Sequence, residues 1–349
     1  MAGKAKRKSQ QQPDEPARPG LPGRIGEWWF NMWHDAAPDA VSELRGMIDF
    51  DDDDYEDDDE DDFAAPAAAT DRKAPEPEES PPPAGWPEPR LKVAQAIWGE
   101  EFTTPGGHDV VMGMITPLAL NEKMSVVDIG AGLGGSTRSI ARETGAWVNG
   151  YDEDAELAAA AMKLSKMGAL GKRAPIETCD LNAFADVGIR DNSIHAVFSK
   201  EALFTVADKD ALLETMETIM KPGGQLMMTD YMAADGMGES GAEDEAESQA
   251  IKLWSRFEPR RPHLWDVGRF RNKFESMNYE VRVAEDITEK QRGYVLHGFL
   301  EFTTALKTFK GNAELEEWAV REAEFWLHRI AALSSGDVKV YRIYARKET

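Results

Sequence analysis

The stretch "SVVDIGAGLGGSTRSIARETGAWVNGYDED", Ser125 to Asp154, constrains the fold of this chain more than any other. A short apolar run through Val126, Val127 and Ile129 breaks at Gly130, Gly132 and Gly134. A helical pattern follows, closed by Gly145, and a second apolar run ends on Asp152. Strand, glycine turn, helix and strand in this order read as a βαβ unit, whose two strands lie parallel because the helix carries the chain across the sheet. Glycines at such a turn let backbone approach a ligand at the N-terminus of the following helix.

The same alternation continues on both sides. "HDVVMGMITPLAL" reads as a leading helix, "SVVDIG" as the first strand, "GSTRSIARETG" as a helix and "AWVNGYD" as the second strand. "EDAELAAAAMKLSKMG" is rich in strong helix formers and ends at Gly168. "PIETCD" and "IHAVFSKEAL" follow as strands, "KDALLETMETIMKPGG" as a helix running into a turn, and "QLMMTDY" as a buried fifth strand. Beyond Tyr231 a polar loop runs to about Gln249, then a helix near Val267 to Met277, the strand "YEVRVAED", a helix-rich stretch from about Glu289 to Leu333, and the strand "VKVYRIYARK". The expectation is an α/β, Rossmann-like fold with a seven-stranded, mostly parallel sheet and a helical cap.

Residues 1–84 have a different composition. A basic start precedes a Trp-rich island (about 26–50) with Trp28, Trp29, Phe30, Met32 and Trp33, an acidic block at 51–62 in which only Tyr55 is not acidic, and a Pro-rich run. Such a segment buries too little apolar surface to offset chain entropy, so a disordered tail is expected. The island's exposed rings call for cover, by folding back, by a protein partner or by a membrane surface. The formal charge of −24 argues against a nucleic-acid partner, which needs clustered Lys and Arg. One cysteine, Cys179, rules out an internal disulfide and a Cys-based zinc site, and no metal ligands are expected. No secretory signal or run of about 18 apolar residues is present, so the expected location is cytoplasmic, with peripheral membrane contact through the tail as the alternative.

The glycine turn fits two ligands, since Gly130-x-Gly132-x-x-Gly135 matches a dinucleotide loop and Gly130-x-Gly132-x-Gly134 an S-adenosylmethionine loop. Both use an acid about 20 residues on for ribose hydroxyls, here Asp152. Three features favour S-adenosylmethionine. Asp128 stands where a carboxylate reaches a cationic amino-acid moiety and would repel a pyrophosphate. Asp180 and Leu181 follow the third strand, suited to an adenine amino group and ring. "MKPGGQLMMTDY" supplies the turn and strand that follow in class I methyltransferases.

"WGEEFTTPGG", "VVDIGAGLGG", "FSKEALF" and "TDY" together resemble phosphoethanolamine N-methyltransferases, from about Trp86 to the C-terminus. The resemblance implies S-adenosylmethionine as cofactor, held by Thr103, Thr104, Gly130, Gly132, Asp152, Asp180, Leu181 and Lys200, with a lid at 86–107. It implies a phosphate subsite at Tyr231 and Arg260, with Arg321 standing in for a lysine. Where that family carries a catalytic Tyr/His pair, this sequence has Trp86 and Thr205, neither of which is a general base at neutral pH. Trp86 would either shield a cation with its ring or clasp the linker, and Glu201 is the nearest group to orient an amine or take its proton.

The expected organisation is thus a tail (1–84) and one S-adenosylmethionine-dependent methyltransferase domain (85–349), with a lid, a cofactor core (108–231) and an acceptor cap with C-terminal strands (232–349). The expected acceptor is a small amine or phosphobase. C- or O-methylation of an apolar quinone, sterol or lipid, and a non-catalytic cofactor-binding scaffold, stand beside it.

Overall fold

A computed structural model describes residues 85–235 and 248–349. The tail, its Trp-rich island and its acidic block lie outside the described residues.

Seven strands form one sheet: β1 Ser125–Ile129, β2 Trp147–Asp152, β3 Ile176–Thr178, β4 Ile194–Lys200, β5 Met220–Ala233, β6 Tyr279–Asp286 and β7 Val338–Lys347. Their order is β3-β2-β1-β4-β5-β7-β6. The first five are parallel, and β7 inserts antiparallel between β5 and β6. This is the Rossmann-like, seven-stranded, mostly parallel sheet read from the sequence. Strand order reverses between β1 and β4, and at such a reversal the carboxyl ends of the strands open a crevice.

Nine helices of the described residues flank the sheet: α1 Glu88–Trp98, α2 Gly107–Ile115, α3 Gly135–Thr144, α4 Ala155–Met167, α5 Lys209–Ile219, α6 Gln249–Phe257, α7 Val267–Ser276, α8 Thr288–Phe309 and α9 Ala313–Ser335. Asp154, Asp208, Ser248, Asp266 and Asn312 cap α4, α5, α6, α7 and α9 by accepting from backbone N–H groups of the first turn. None is long and apolar enough to cross a membrane.

Two boundaries differ from the reading of the sequence. The leading helix stops at Ile115 and tightens into a 3₁₀ turn over Thr116–Leu118, because Pro117 has no N–H to continue an α-helical ladder. The Lys221-Pro222-Gly223-Gly224 turn is drawn into β5, where it forms an irregularity as the register against β4 shifts between Ile194 and Ala196.

The chain before the first strand packs on the late helices. Arg90 of α1 donates to Glu322 of α9 at 2.5 Å, with both side chains sealed from solvent. The Trp98 ring meets Trp326 edge-on at 4.6 Å and Phe299 at 5.4 Å. Gly298 makes room for this contact, since a Cβ there would lie 2.5 Å from the Trp98 ring. His195 of β4 accepts at Nδ1 from the Ser125 amide at 3.0 Å, a structural tie between β4 and β1.

Candidate active site

The turn after β1 is shaped by close backbone contacts. Gly130 has φ +74, and a Cβ there would lie 2.0 Å from that of Ala202, so only glycine fits. The amides of Gly130 and Ala131 donate to the Tyr151 carbonyl at 2.8 and 3.0 Å, tying the turn to β2. At the end of β2, Asp152 accepts from the Gly132 amide at 2.8 Å and the Asp154 amide at 2.9 Å. Burial raises its carboxyl above the ordinary range, and these two amides oppose the rise.

A cavity of about 200 Å³ opens beside this turn. Thr103 and Thr104 from the loop after α1, Gly130, Gly132, Asp152, Leu181 and Lys200 all contribute to its wall. Lys200 donates to Thr104 Oγ1 at 3.0 Å and to Glu201 Oε1 at 2.7 Å. The loop after α1 is pinned from outside: Arg142 donates to both oxygens of Glu101 at 2.8 and 2.9 Å, and Arg138 Nε lies 3.0 Å from Oε2. Burial pushes the Glu101 carboxyl up, but the two guanidiniums outweigh it and hold it below its usual range.

The chemistry of the wall decides between the two cofactors. Six carboxylates (Glu101, Asp152, Glu153, Asp154, Glu201, Glu258) face four cations (Arg90, Lys200, Arg260, Arg329), and each of the four is paired with a carboxylate. A pyrophosphate would meet a net negative wall, whereas a sulfonium is complementary to it. Each oxygen of Asp152 takes one amide and keeps a lone pair for a ribose hydroxyl, and Leu181 gives an apolar surface beside it. The residues present fit S-adenosylmethionine.

The other end of the cavity is built from the residues that follow β4 and α6 and from α9. Glu201 follows the last residue of β4 with φ +56, a conformation that costs energy for a residue with a Cβ and that clusters at functional sites. Its side chain is 1% exposed. Its Oε2 accepts from the Tyr231 hydroxyl at 3.5 Å. Phe204, Thr205, Glu258, Pro259, Arg260 and Arg329 complete this end.

Not every residue singled out from the sequence reaches the cavity wall. Asp128 is 1% exposed and lies behind the turn, accepting from the Thr137 hydroxyl at 2.7 Å. Burial pushes its carboxyl up to about 7. Its place corrects the expectation of direct contact with the amino-acid half of the cofactor: Asp128 braces the turn against α3. Asp180 is solvent-exposed and caps the 3₁₀ segment that follows it, accepting from Asn182 N at 2.9 Å, so Leu181 alone of that pair lines the cavity. Tyr231 is buried one layer back, in contact with Glu201 and Gln291.

Arg321 does not line the cavity. It pairs with Glu317 at 2.6 Å one turn away on α9, and Arg329, eight residues on, faces the cavity instead. Trp86 lines the cavity, but Arg90 lies 3.9 Å over its ring and takes a face that would otherwise meet a bound cation. Its amide donates to Glu156 at 3.0 Å, so the residue clasps the chain before α1 onto α4. Thr205 donates its hydroxyl to the Ala202 carbonyl at 3.1 Å. Arg260 pairs with Glu153, and its side chain is 42% exposed.

Glu258 and Arg329 were missed. The signal for Arg329 is a charge between Phe325, Trp326 and Ile330 on an apolar helix face, which calls for a buried partner. Glu258 lies just before Pro259 with no pattern to mark it.

Residues 120–288 match the Methyltransf_31 family, a methyltransferase domain. The chain is similar to phosphoethanolamine N-methyltransferase 1 of Triticum aestivum, 24% identical over 200 residues that cover 56% of this chain and 36% of that one. It spans no more than about half the length of the curated phosphoethanolamine N-methyltransferases it matches first. Among solved structures it is similar to Haemonchus contortus phosphoethanolamine N-methyltransferase 2 in complex with phosphomonomethylethanolamine and S-adenosylhomocysteine, with TM-score 0.62, 19% identity and coverage of 74% of this chain and 57% of that one. It is also similar to a putative sarcosine dimethylglycine methyltransferase from Galdieria sulphuraria, with TM-score 0.59, 15% identity and coverage of 75% and 97%. Residues 120–288 thus match a methyltransferase domain, carried on a Rossmann-like fold.

Proposed function

We propose that the chain transfers a methyl group from S-adenosylmethionine to the nitrogen of a small amine, with Glu201 orienting the acceptor. The observation that carries this reading is the placement of Glu201, a buried carboxylate in a left-handed backbone conformation on the cavity wall beside Lys200. Asp152, the Gly130–Gly132 turn, Thr103, Thr104, Leu181 and Lys200 would hold the cofactor. When bound, S-adenosylmethionine supplies a methyl already activated by its sulfonium.

The chain's own residues then have three tasks. Lys200, itself held by Thr104, donates to Glu201 Oε1 and fixes the Glu201 side chain in a place closed to solvent. Glu201 Oε2 would accept a hydrogen bond from the amine N–H, aim the lone pair, and take up the amine proton released once the N–C bond has formed and the methyl–sulfur bond has broken, its electron pair staying on sulfur. Gly85, Trp86, Arg90 and Glu101 to Thr104 line the cavity, and in this reading their segment would limit the access of water to the bound donor. No tyrosine or histidine is needed at Trp86 and Thr205 for these steps. The negative wall favours a basic amine over an apolar quinone, sterol or lipid.

Transfer of labelled methyl by purified protein tests this, using a panel of small amines and phosphobases beside a lipid and quinone extract. Label on an amine nitrogen supports the reading, and label confined to the extract overturns it. Cofactor binding without transfer to any acceptor would favour a scaffold.

A further inference from the structure

Arg329 sits in a box of four aromatic rings. Its guanidinium carbon lies 4.5 Å from the ring centre of Phe325, 4.7 Å from Trp326, and 5.3 Å from both Phe204 and Tyr231. Such a box binds a cation through the ring faces, and here the cation is the chain's own. Glu258 closes the fork: Arg329 Nε lies 2.5 Å from Oε1 and a terminal nitrogen 2.9 Å from Oε2, while Trp254 Nε1 donates to Oε1 at 2.5 Å. Both members of the pair are less than a tenth exposed, and both line the cavity.

We infer that the Glu258–Arg329 pair sets acceptor selectivity, so that the site takes a small amine without a phosphoryl group. The inference rests on the amine reading of the same site and narrows it. A phosphomonoester brings nearly two negative charges, with strong acceptor oxygens that need cationic partners. Arg329 can become one only by releasing Glu258, which then stays behind as a buried carboxylate without its partner, and breaking a buried pair in this way is strongly unfavourable. Lys200 is held by Glu201, and Arg260 by Glu153 at the exposed rim. An amine without phosphate displaces none of these pairs and meets a wall with two more carboxylates than cations, six against four.

Calorimetry on the S-adenosylhomocysteine-saturated protein tests the pair, titrating O-phosphoethanolamine and ethanolamine into the wild type, Glu258→Gln and Glu258→Asp. O-phosphoethanolamine should bind Glu258→Gln about tenfold or more tighter than the wild type. Glu258→Asp, which keeps the charge, should go on excluding it. Unchanged S-adenosylhomocysteine affinity in the variants shows that the fold is kept. Tighter binding of O-phosphoethanolamine than of ethanolamine by the wild type would overturn the inference and leave the amine reading standing, since the wild type alone decides that comparison. Absence of labelled methyl on both amines and phosphorylated amines would remove the amine reading, and the selectivity with it.

Discussion

Asp152 reaches back across twenty residues to accept the Gly132 amide at 2.8 Å, so the acid at the end of β2 and the glycine turn after β1 form one rigid unit. A carboxylate in this place fixes the turn, and in the proposed site its remaining lone pairs would meet ribose hydroxyls. Because a hydrogen bond to a charged group contributes about 1.5–3 kcal/mol, Asp152→Ala should weaken S-adenosylmethionine binding roughly 10- to 100-fold. Calorimetry with S-adenosylhomocysteine measures it, and unchanged affinity would remove Asp152 from the site.

The clasp of Glu101 onto Arg138 and Arg142 holds the loop that brings Thr103 and Thr104 to the cavity. Glu101→Gln keeps the shape and removes the charge. The expected result is faster release of S-adenosylhomocysteine, by about tenfold, with less change in its association rate. Stopped-flow measurement of both rates checks this, and an unaltered release rate would mean that the loop is held by its packing alone.

Gly298 lies against the Trp98 ring, and a methyl group there would come within 2.7 Å of two ring carbons and 3.0 Å of the Ile97 carbonyl. Helix propensity alone would make Gly298→Ala stabilising by up to about 1 kcal/mol. Overpacking of this kind costs about 1–3 kcal/mol, so a net fall in melting temperature is expected. A rise would show that α1 and α8 can move apart freely.

The glycine turn and Asp152 were legible because both are local: the apolar period fixes the strands, and only a few residue types tolerate such a turn. Side-chain direction was not. Successive strand residues face opposite sides of a sheet, so Asp128, two positions before the turn, points under α3 at Thr137 and not into the cavity. Asp180 spends its carboxylate on a cap. That Arg329 and not Arg321 faces the cavity was not legible for a related reason. Which face of the long helix α9 looks inward is set by α1 and α6, through Glu322 with Arg90 and Arg329 with Glu258, and those partners are 232 and 71 residues away in sequence.

Burial raises the Asp128 carboxyl from 3.8 to about 7. Between those values the folded chain holds more protons than the unfolded one, so this group makes stability fall as pH rises from about 4 to about 7, after which its effect is constant. Asp128→Asn retains an acceptor for Thr137 and cannot ionise. Its melting temperature relative to the wild type should therefore climb between pH 5 and pH 8. Parallel curves across that range would place the shift elsewhere.

The most direct measurement follows the methyl carbon itself. Protein turned over with S-adenosylmethionine carrying ¹³C in its methyl group and a small amine acceptor should give an N-methyl signal by NMR, reduced about 100-fold in Glu201→Gln with cofactor affinity retained. A methyl bonded to carbon or oxygen, or equal N-methylation by Glu201→Gln, would contradict the account.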